Sequence, residues 1–235
     1  MVIGSLPRPA WVRDVIIART RELLDEEEAD RLLDPGTLFA IRMQERAGLD
    51  YISDGEWRRE SYVKVFAEKV SGFEPDLINY DDILPYPAVV APLSCARPLV
   101  VDEVQYLRPR TTRKIKITLP SPYIIGCRMW HPEHSAKAYP KREQLMAACV
   151  PILRKEIEAV RDAGVSTVQL DEPWLCTMVD PDFDQDPYRK DLQYEMDLCA
   201  DLINQTVDGI DGIQIGMHLC RAHFAHKHGS KGAYD

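Results

Sequence analysis

No stretch of this 235-residue chain approaches the roughly 18 to 20 consecutive apolar residues that a membrane-spanning helix needs. The N-terminus also lacks the basic-then-apolar profile of a secretion signal. There is no Gly-x-Gly-x-x-Gly, no Walker loop and no Gly-x-Ser-x-Gly elbow, so the usual signatures of dinucleotide, nucleoside-triphosphate and serine-hydrolase chemistry are missing. An excess of basic residues is missing too. With 38 acidic against 29 basic side chains the formal charge is −9, a surface that repels nucleic-acid backbones and anionic membranes. Small molecules and other proteins remain as partners. The six cysteines fall at irregular spacings that suggest no disulfide framework, which favours a reduced, cytoplasmic setting.

What is present is a core-forming composition, 45% hydrophobic, over a length that suits one domain spanning 1–235. Three stretches repeat one grammar: RMQERAGLDYISDGE (42–56), EAVRDAGVSTVQLDEP (158–173) and VDGIDGIQIGMHLC (207–220). Each reads as a helix, a glycine (Gly48, Gly164, Gly212) that ends it, a short β-rich run, and then polar residues with chemical potential. Val2 to Ser5 and Lys114 to Leu119 are read as two further strands. Helices alternating with such strands predict right-handed βαβ crossovers and a parallel sheet, whose ligands bind beyond the carboxyl ends of the strands. Five units are too few to close an eight-stranded barrel, and the chain ends just after a catalytic-looking loop. It therefore reads as a cut α/β domain.

Several segments carry narrower expectations. The acidic run Asp25 to Asp30 reads as a solvated helix start or turn. Residues 72 to 112 read either as an excursion, a loop followed by a β-hairpin over the mouth, or as an ordinary long surface loop, and residues 130 to 142 as a polar loop. Leu145, Cys149, Ile152, Ile157 and Val160 recur as one helical face, with Pro151 expected to kink or break that helix.

His218 and Cys220, two apart at a strand end, point to one face and can both reach one Zn²⁺. His223, His226 and His228 follow in a loop and read as solvated. Asp54, Glu56, Asp171 and Glu172 are acids at strand ends, where capping competes with function. Glu56 and Asp171 suit an ammonium group, whereas Arg8, Arg58, Arg59 and Arg221 either bind a carboxylate or lie on the surface. In IGSLPRP, Gly4 permits close backbone approach and Ser5 offers a hydroxyl and an amide, unless the stretch is a plain turn closed by Pro7.

Taken in order, IGSLPRP, YISDGEWRR, LPSP, VQLDEP and MHLCRAH resemble the cobalamin-independent methionine synthase family, its C-terminal catalytic barrel and the shorter stand-alone relatives. The resemblance spans nearly the whole chain. It implies a (β/α)₈ TIM barrel, here cut to about its first five βα units. It also implies a zinc-dependent methyltransferase that moves a methyl group to a thiol such as homocysteine, forming methionine. By similarity His218 and Cys220 bind zinc, with a glutamate and a second cysteine of the ligand set falling beyond Asp235, so this stretch alone is expected to be inactive. Ile3, Gly4, Ser5, Glu56 and Asp171 would hold the homocysteine amino-acid portion. Two departures weigh against folate as methyl donor: Thr177 stands where folate users carry a glutamate, and Trp130 is spaced differently from their tryptophan. A corrinoid donor stays open, as do two alternatives, an epoxide-opening alkyl transferase of the same family and a metal-free barrel fragment.

Overall fold

Gly48, Gly164 and Gly212 take φ of +74°, +89° and +80°, and each delivers the chain from a helix into a parallel strand. Gly48 and Gly164 sit two residues past their helices and share one turn, whereas the third helix ends at Val207, with Gly209 at φ +72° after it and Gly212 just before the strand. A side chain at these positions would force a Cβ into the left-handed region. In this computed structural model residues 1–79, 85–178, 180 and 191–220 are described in full, and 223–224 and 227–228 in backbone only.

The chain begins with α1 (Ala10–Thr20) and α2 (Glu26–Arg46), then β1 (Tyr51–Ile52), α3 (Lys64–Lys69), β2 (Ser71–Ile78) and β3 (Tyr86–Ser94). It continues through α4 (Val101–Leu107), β4 (Lys114–Pro120), α5 (Pro122–Met129), α6 (Pro132–Ser135), α7 (Arg142–Asp162) and β5 (Thr167–Asp171). The last elements are α8 (Leu192–Val207), β6 (Gln214–His218), β7 (His223–Phe224) and β8 (Lys227–His228). β1, β4, β5 and β6 form one sheet in that order, every pair parallel. The order never reverses along the chain, as it would in a doubly wound sheet, so these are successive units of a (β/α) barrel wall.

The strands alternate with period two. Ile115, Ile117 and Leu119 of β4 and Val168 and Leu170 of β5 are buried in the main core, together with Ile124, Ile125, Leu145, Cys149, Leu153 and Ile157 from the covering helices. On the other face the register sets Lys116 beside Thr167, Thr118 beside Gln169 and Pro120 beside Asp171. The next pairing sets Thr167 beside Gln214, Gln169 beside Gly216 and Asp171 beside His218. Residues i and i+2 share a face, so one side of this wall is a polar strip ending in Asp171 and His218.

Four expectations change. Val2 to Ser5 forms no strand: the Val2 and Ile3 carbonyls are taken by the Lys116 ammonium, each at 2.6 Å, in place of a strand's N–H groups. The hairpin exists but lies earlier, as antiparallel β2 and β3, while PLVVDEVQYL supplies helix α4, which buries Glu103, Val104 and Leu107 on one helical face. α5 intervenes before the polar stretch 130 to 142, which itself contains the single turn α6. Helix α7 runs unbroken through Pro151. The acidic run does start a helix, with the Asp25 side chain accepting from the Glu28 N–H. His223 and His228, read as loop residues, fall in the β7–β8 backbone pairing, while Arg221 and His226 lie outside the described residues.

Candidate active site at the strand ends

The turn after β1 carries Glu56, which is buried and holds φ at +57°, a conformation costly for a residue with a Cβ. Its surroundings hold it there. Its N–H donates to Asp54 Oδ1 at 2.8 Å, and its carbonyl accepts from the Arg8 guanidinium at 2.7 Å. The carboxylate accepts from Ser5 Oγ on one oxygen, at 2.5 Å, and from Thr118 Oγ1 on the other, at 2.7 Å. Burial by itself would raise this carboxyl. The Arg59 charge, the Ser5 and Thr118 hydroxyls and Arg8 outweigh burial, and the group sits below its ordinary value.

Asp171 closes β5. Its Oδ1 meets Gln169 Nε2 at 2.6 Å and His218 Nδ1 at 3.2 Å. The Asp171 bond first, and the Cys220 side chain second, raise His218 to about 9, against its half-burial. His218 and Cys220 are therefore hydrogen-bond neighbours, and the two donors expected to share a metal lie together. Cys176 Sγ donates to the Cys220 carbonyl from the loop after β5. Gln169 Nε2 also reaches the Ile3 carbonyl at 2.8 Å. The N-terminal segment thus bridges the two strand ends: Glu56 bonds Ser5, Ile3 bonds Gln169, Gln169 bonds Asp171, Asp171 bonds His218, and His218 bonds Cys220. Gly4 lies inside this bridge. A Cβ built there meets nothing within 4 Å, so no close approach explains the glycine.

Other readings resolve differently. Asp54 caps the tight turn at Glu56 and not a helix. Glu172, fully buried, accepts from Ser121 Oγ and from the Trp174 and Leu175 N–H groups at 3.0 and 3.3 Å, and burial pushes it up to about 7. The three arginines among the described residues are partly or fully buried. Arg8 is spent on the Glu56 and Glu60 carbonyls, Arg58 on Asp30 and Asp34, and Arg59 on Glu103 and Thr118. Thr177 is buried, its hydroxyl donating to the Trp174 carbonyl at 2.9 Å.

Lys116, Thr118, Gln169 and Glu103 organise the site, and motif reading missed all four. The alternation in KIKITL and TVQLD could have found the first three, since it puts Lys116, Thr118 and Gln169 on the face opposite the core residues. Among the described residues, the trio of histidines and acids whose donor atoms converge within 4.8 Å is His131, Glu133 and His134, around α6 and outside this network. His131 Nδ1 there accepts from the Glu133 N–H at 3.3 Å, which caps the turn. No helix among the described residues is long and apolar enough to cross a membrane.

Residues 1–230 match the family described as the catalytic domain of cobalamin-independent synthase. The methionine synthase of Sulfolobus acidocaldarius is 27% identical over 230 residues, 96% of this chain and 62% of that protein. That of Pyrococcus abyssi is 29% identical over 227 residues, 95% of this chain and 61% of its own length. The chain therefore spans about three fifths of the curated relatives it matches. Among solved structures, a B12-independent methionine synthase from a Shewanella species, in complex with selenomethionine, superposes with a TM-score of 0.74 at 25% identity. That match covers 94% of this chain and 60% of the other. One from Listeria monocytogenes gives 0.67 at 24%, covering 93% and 64%. With a parallel wall whose polar strip ends at the five motifs, and a family match along nearly its whole length, the chain belongs to the cobalamin-independent methionine synthase catalytic-domain family.

Proposed function

We propose that this chain carries thiol methylation, the transfer of a methyl group from a small-molecule donor to the thiol of homocysteine, giving methionine. The observation that carries the reading is the path of hydrogen bonds, joined through the backbone of residues 3 to 5, that runs from Glu56 by Ser5, Ile3, Gln169 and Asp171 to His218 and Cys220. It joins an amino-acid cradle to a thiol-activating pair at one end of the wall. Glu56 and Asp171 would take the substrate ammonium, since each carboxylate retains lone pairs beyond its present bonds. The amides of Ile3 to Ser5 would orient the rest of the amino-acid portion.

His218 and Cys220 fit zinc by donor type, an imidazole and a thiol side by side, and these two residues would hold the ion. When bound, zinc would lower the substrate thiol's pKa enough for a thiolate to exist at neutral pH. The protein's own part is orientation. Asp171 Oδ1 lies 3.2 Å from Nδ1 of His218, and with Nδ1 donating to it, Nε2 would be the nitrogen that exchanges its proton for the metal, the arrangement by which an outer carboxylate fixes a metal-binding imidazole. The buried, already bonded Thr177 supplies no charge where folate users carry a glutamate, which supports a donor other than folate.

Metal content and product formation test this. In the full-length protein, which would carry the remaining ligands, the expected result is about one zinc per chain, lost on His218→Ala or Cys220→Ser and retained on His134→Ala, which disrupts only the cluster around α6. Homocysteine offered with methylcobalamin, methyltetrahydrofolate or an epoxide should yield alkylated thiol with one of the three. Zinc indifferent to the first two substitutions would remove the ligand assignment, and no product from any donor would remove the transferase.

A further inference from the structure

Arg59 cannot reach a ligand. Its side chain is 2% exposed, and its nitrogens are committed: Nε to Glu103 Oε1 at 2.6 Å, one terminal nitrogen to Glu103 Oε2 at 2.7 Å, and the other to the carbonyl and hydroxyl of Thr118 at 2.9 and 3.1 Å. Glu103 is itself buried and arrives from α4, outside the parallel wall. A paired buried arginine is often only structural. Two facts make this one more than that. The Thr118 hydroxyl that accepts from Arg59 must point its own hydrogen elsewhere, and it donates to Glu56 Oε1 at 2.7 Å. Glu56, three residues before Arg59, is held in a left-handed backbone conformation, which fixes the line along which its carboxylate leaves the turn.

We propose that Arg59, clamped by Glu103 and acting through Thr118, is a positioning residue that keeps Glu56 an oriented carboxylate for the amino group of the substrate. The inference rests on the reading of Glu56 as an amino-group ligand. The relay runs from Glu103 to Arg59 to Thr118 to Glu56, with the Arg59 charge at its centre and the Glu56 carboxylate at its far end. A hydroxyl between a guanidinium and a carboxylate has one favourable orientation, so Thr118 is polarised toward Glu56 and the Oε1 lone pair it uses is settled. Ser5 settles one on Oε2. Each oxygen keeps a lone pair beyond these bonds. An ammonium therefore meets a carboxylate that needs no rearrangement, which is how preorganised sites gain affinity. Lys116, the other cation facing Glu56 and Asp171, is held on the Val2 and Ile3 carbonyls, and Arg8 on the Glu56 and Glu60 carbonyls. Neither bonds the Glu56 carboxylate, so Arg59 is the cation wired to it through a side-chain hydrogen bond.

Calorimetric binding of L-homocysteine, compared with its des-amino analogue mercaptobutanoate, from weakly acid to neutral pH, separates orientation from general damage. Arg59→Met should weaken homocysteine by about tenfold or more, the size of a lost bond to a charged group, and leave the analogue within about twofold. It should also move the acid-side loss of homocysteine binding to higher pH, because binding needs the ionised carboxylate and the charge that favours ionisation is gone. Arg59→Lys should recover part of both effects. Should Arg59→Met fold poorly, the double variant Arg59→Met, Glu103→Leu avoids stranding a buried acid, and Thr118→Val cuts the same relay by one hydroxyl. Both carry the same expectation. Equal losses for the two ligands, or an unmoved pH profile, would overturn the positioning role even where Glu56→Gln abolishes the preference for the amino compound. Homocysteine binding unaffected by Glu56→Gln would overturn the reading of Glu56 itself.

Discussion

Glu56 and Glu172 stand at the ends of two strands in the same wall, both buried, and they ionise in opposite directions. For each, burial is the largest influence and acts to raise the carboxyl. Glu172 answers it with neutral donors, the Ser121 hydroxyl and backbone N–H groups, and rises to about 7. Glu56 has two hydroxyls as well, but also the charges of Arg59 and Arg8, and falls below its ordinary value. At Glu56 the charges of Arg59 and Arg8, added to the hydroxyl bonds, outweigh desolvation. At Glu103, which Arg59 bonds directly, burial still pushes the carboxyl up to about 8, so a cation is not sufficient by itself. The difference sorts the two residues by use. Glu56 is kept charged at a face where a cation would bind, while Glu172 ties the loop after β5 to the β4–α5 junction.

The sharpest way to break the contrast is to strand the cation. Glu103→Ala leaves the Arg59 guanidinium buried with only Thr118 and the field of Glu56, and should destabilise the fold by about 3 kcal/mol, read by urea denaturation at neutral pH. Glu103→Gln should cost less, since the amide oxygen still accepts one bond. A smaller effect follows from removing a neutral donor. Ser5→Ala deletes one hydroxyl bond from an exposed residue to the buried Glu56 carboxylate and should cost about 1 kcal/mol in stability. If Ser5→Ala proved as costly as Glu103→Ala, the cation would not be the deciding element.

The sequence disclosed the parallel wall because its signals were local. Gly48 and Gly164 mark helix ends, Gly212 the entry to a strand, and the runs around 115, 168 and 215 carry their own periodicity. It misled where a local signal had a non-local answer. Val2 to Ser5 is apolar enough for a strand, yet its carbonyls are bonded by Lys116 and Gln169 side chains from 113 or more residues away. PLVVDEVQYL is β-branched, yet it folds as a helix because Val104 and Leu107 bury into the core and Glu103 meets Arg59, 44 residues distant. α5 was legible in retrospect: Ser121 caps it, with Pro122 opening its first turn. For the candidate site, the motifs named Ile3, Ser5, Glu56, Asp171, His218 and Cys220, which the fold brings into one path. They missed the residues that tune that path, because Thr118, Gln169 and Glu103 belong to no motif and act through pairings set by strand register and by the helix packed behind it.

The mildest substitution probes the other glutamate. Glu172 titrates from an ordinary value of 4.5 to about 7 in the folded protein, with burial as the leading cause. A carboxyl whose folded value lies above its unfolded one favours the folded state while protonated. Its contribution is therefore complete below about 4.5 and is lost as the pH climbs to about 7. Glu172→Gln mimics the protonated form: the amide oxygen can accept from the Trp174 and Leu175 N–H groups, and the amide nitrogen can donate to Ser121 Oγ. Stability measured by urea at the acid end should match the unsubstituted protein within about 0.5 kcal/mol, the range of a mild substitution. At neutral pH the variant should be the more stable of the two, and the slope between those limits should flatten. The corresponding Glu56→Gln should do the reverse, losing stability at neutral pH, because there the fold is arranged around the charge. Matching slopes for the two variants would mean that Arg59 does not distinguish the sites.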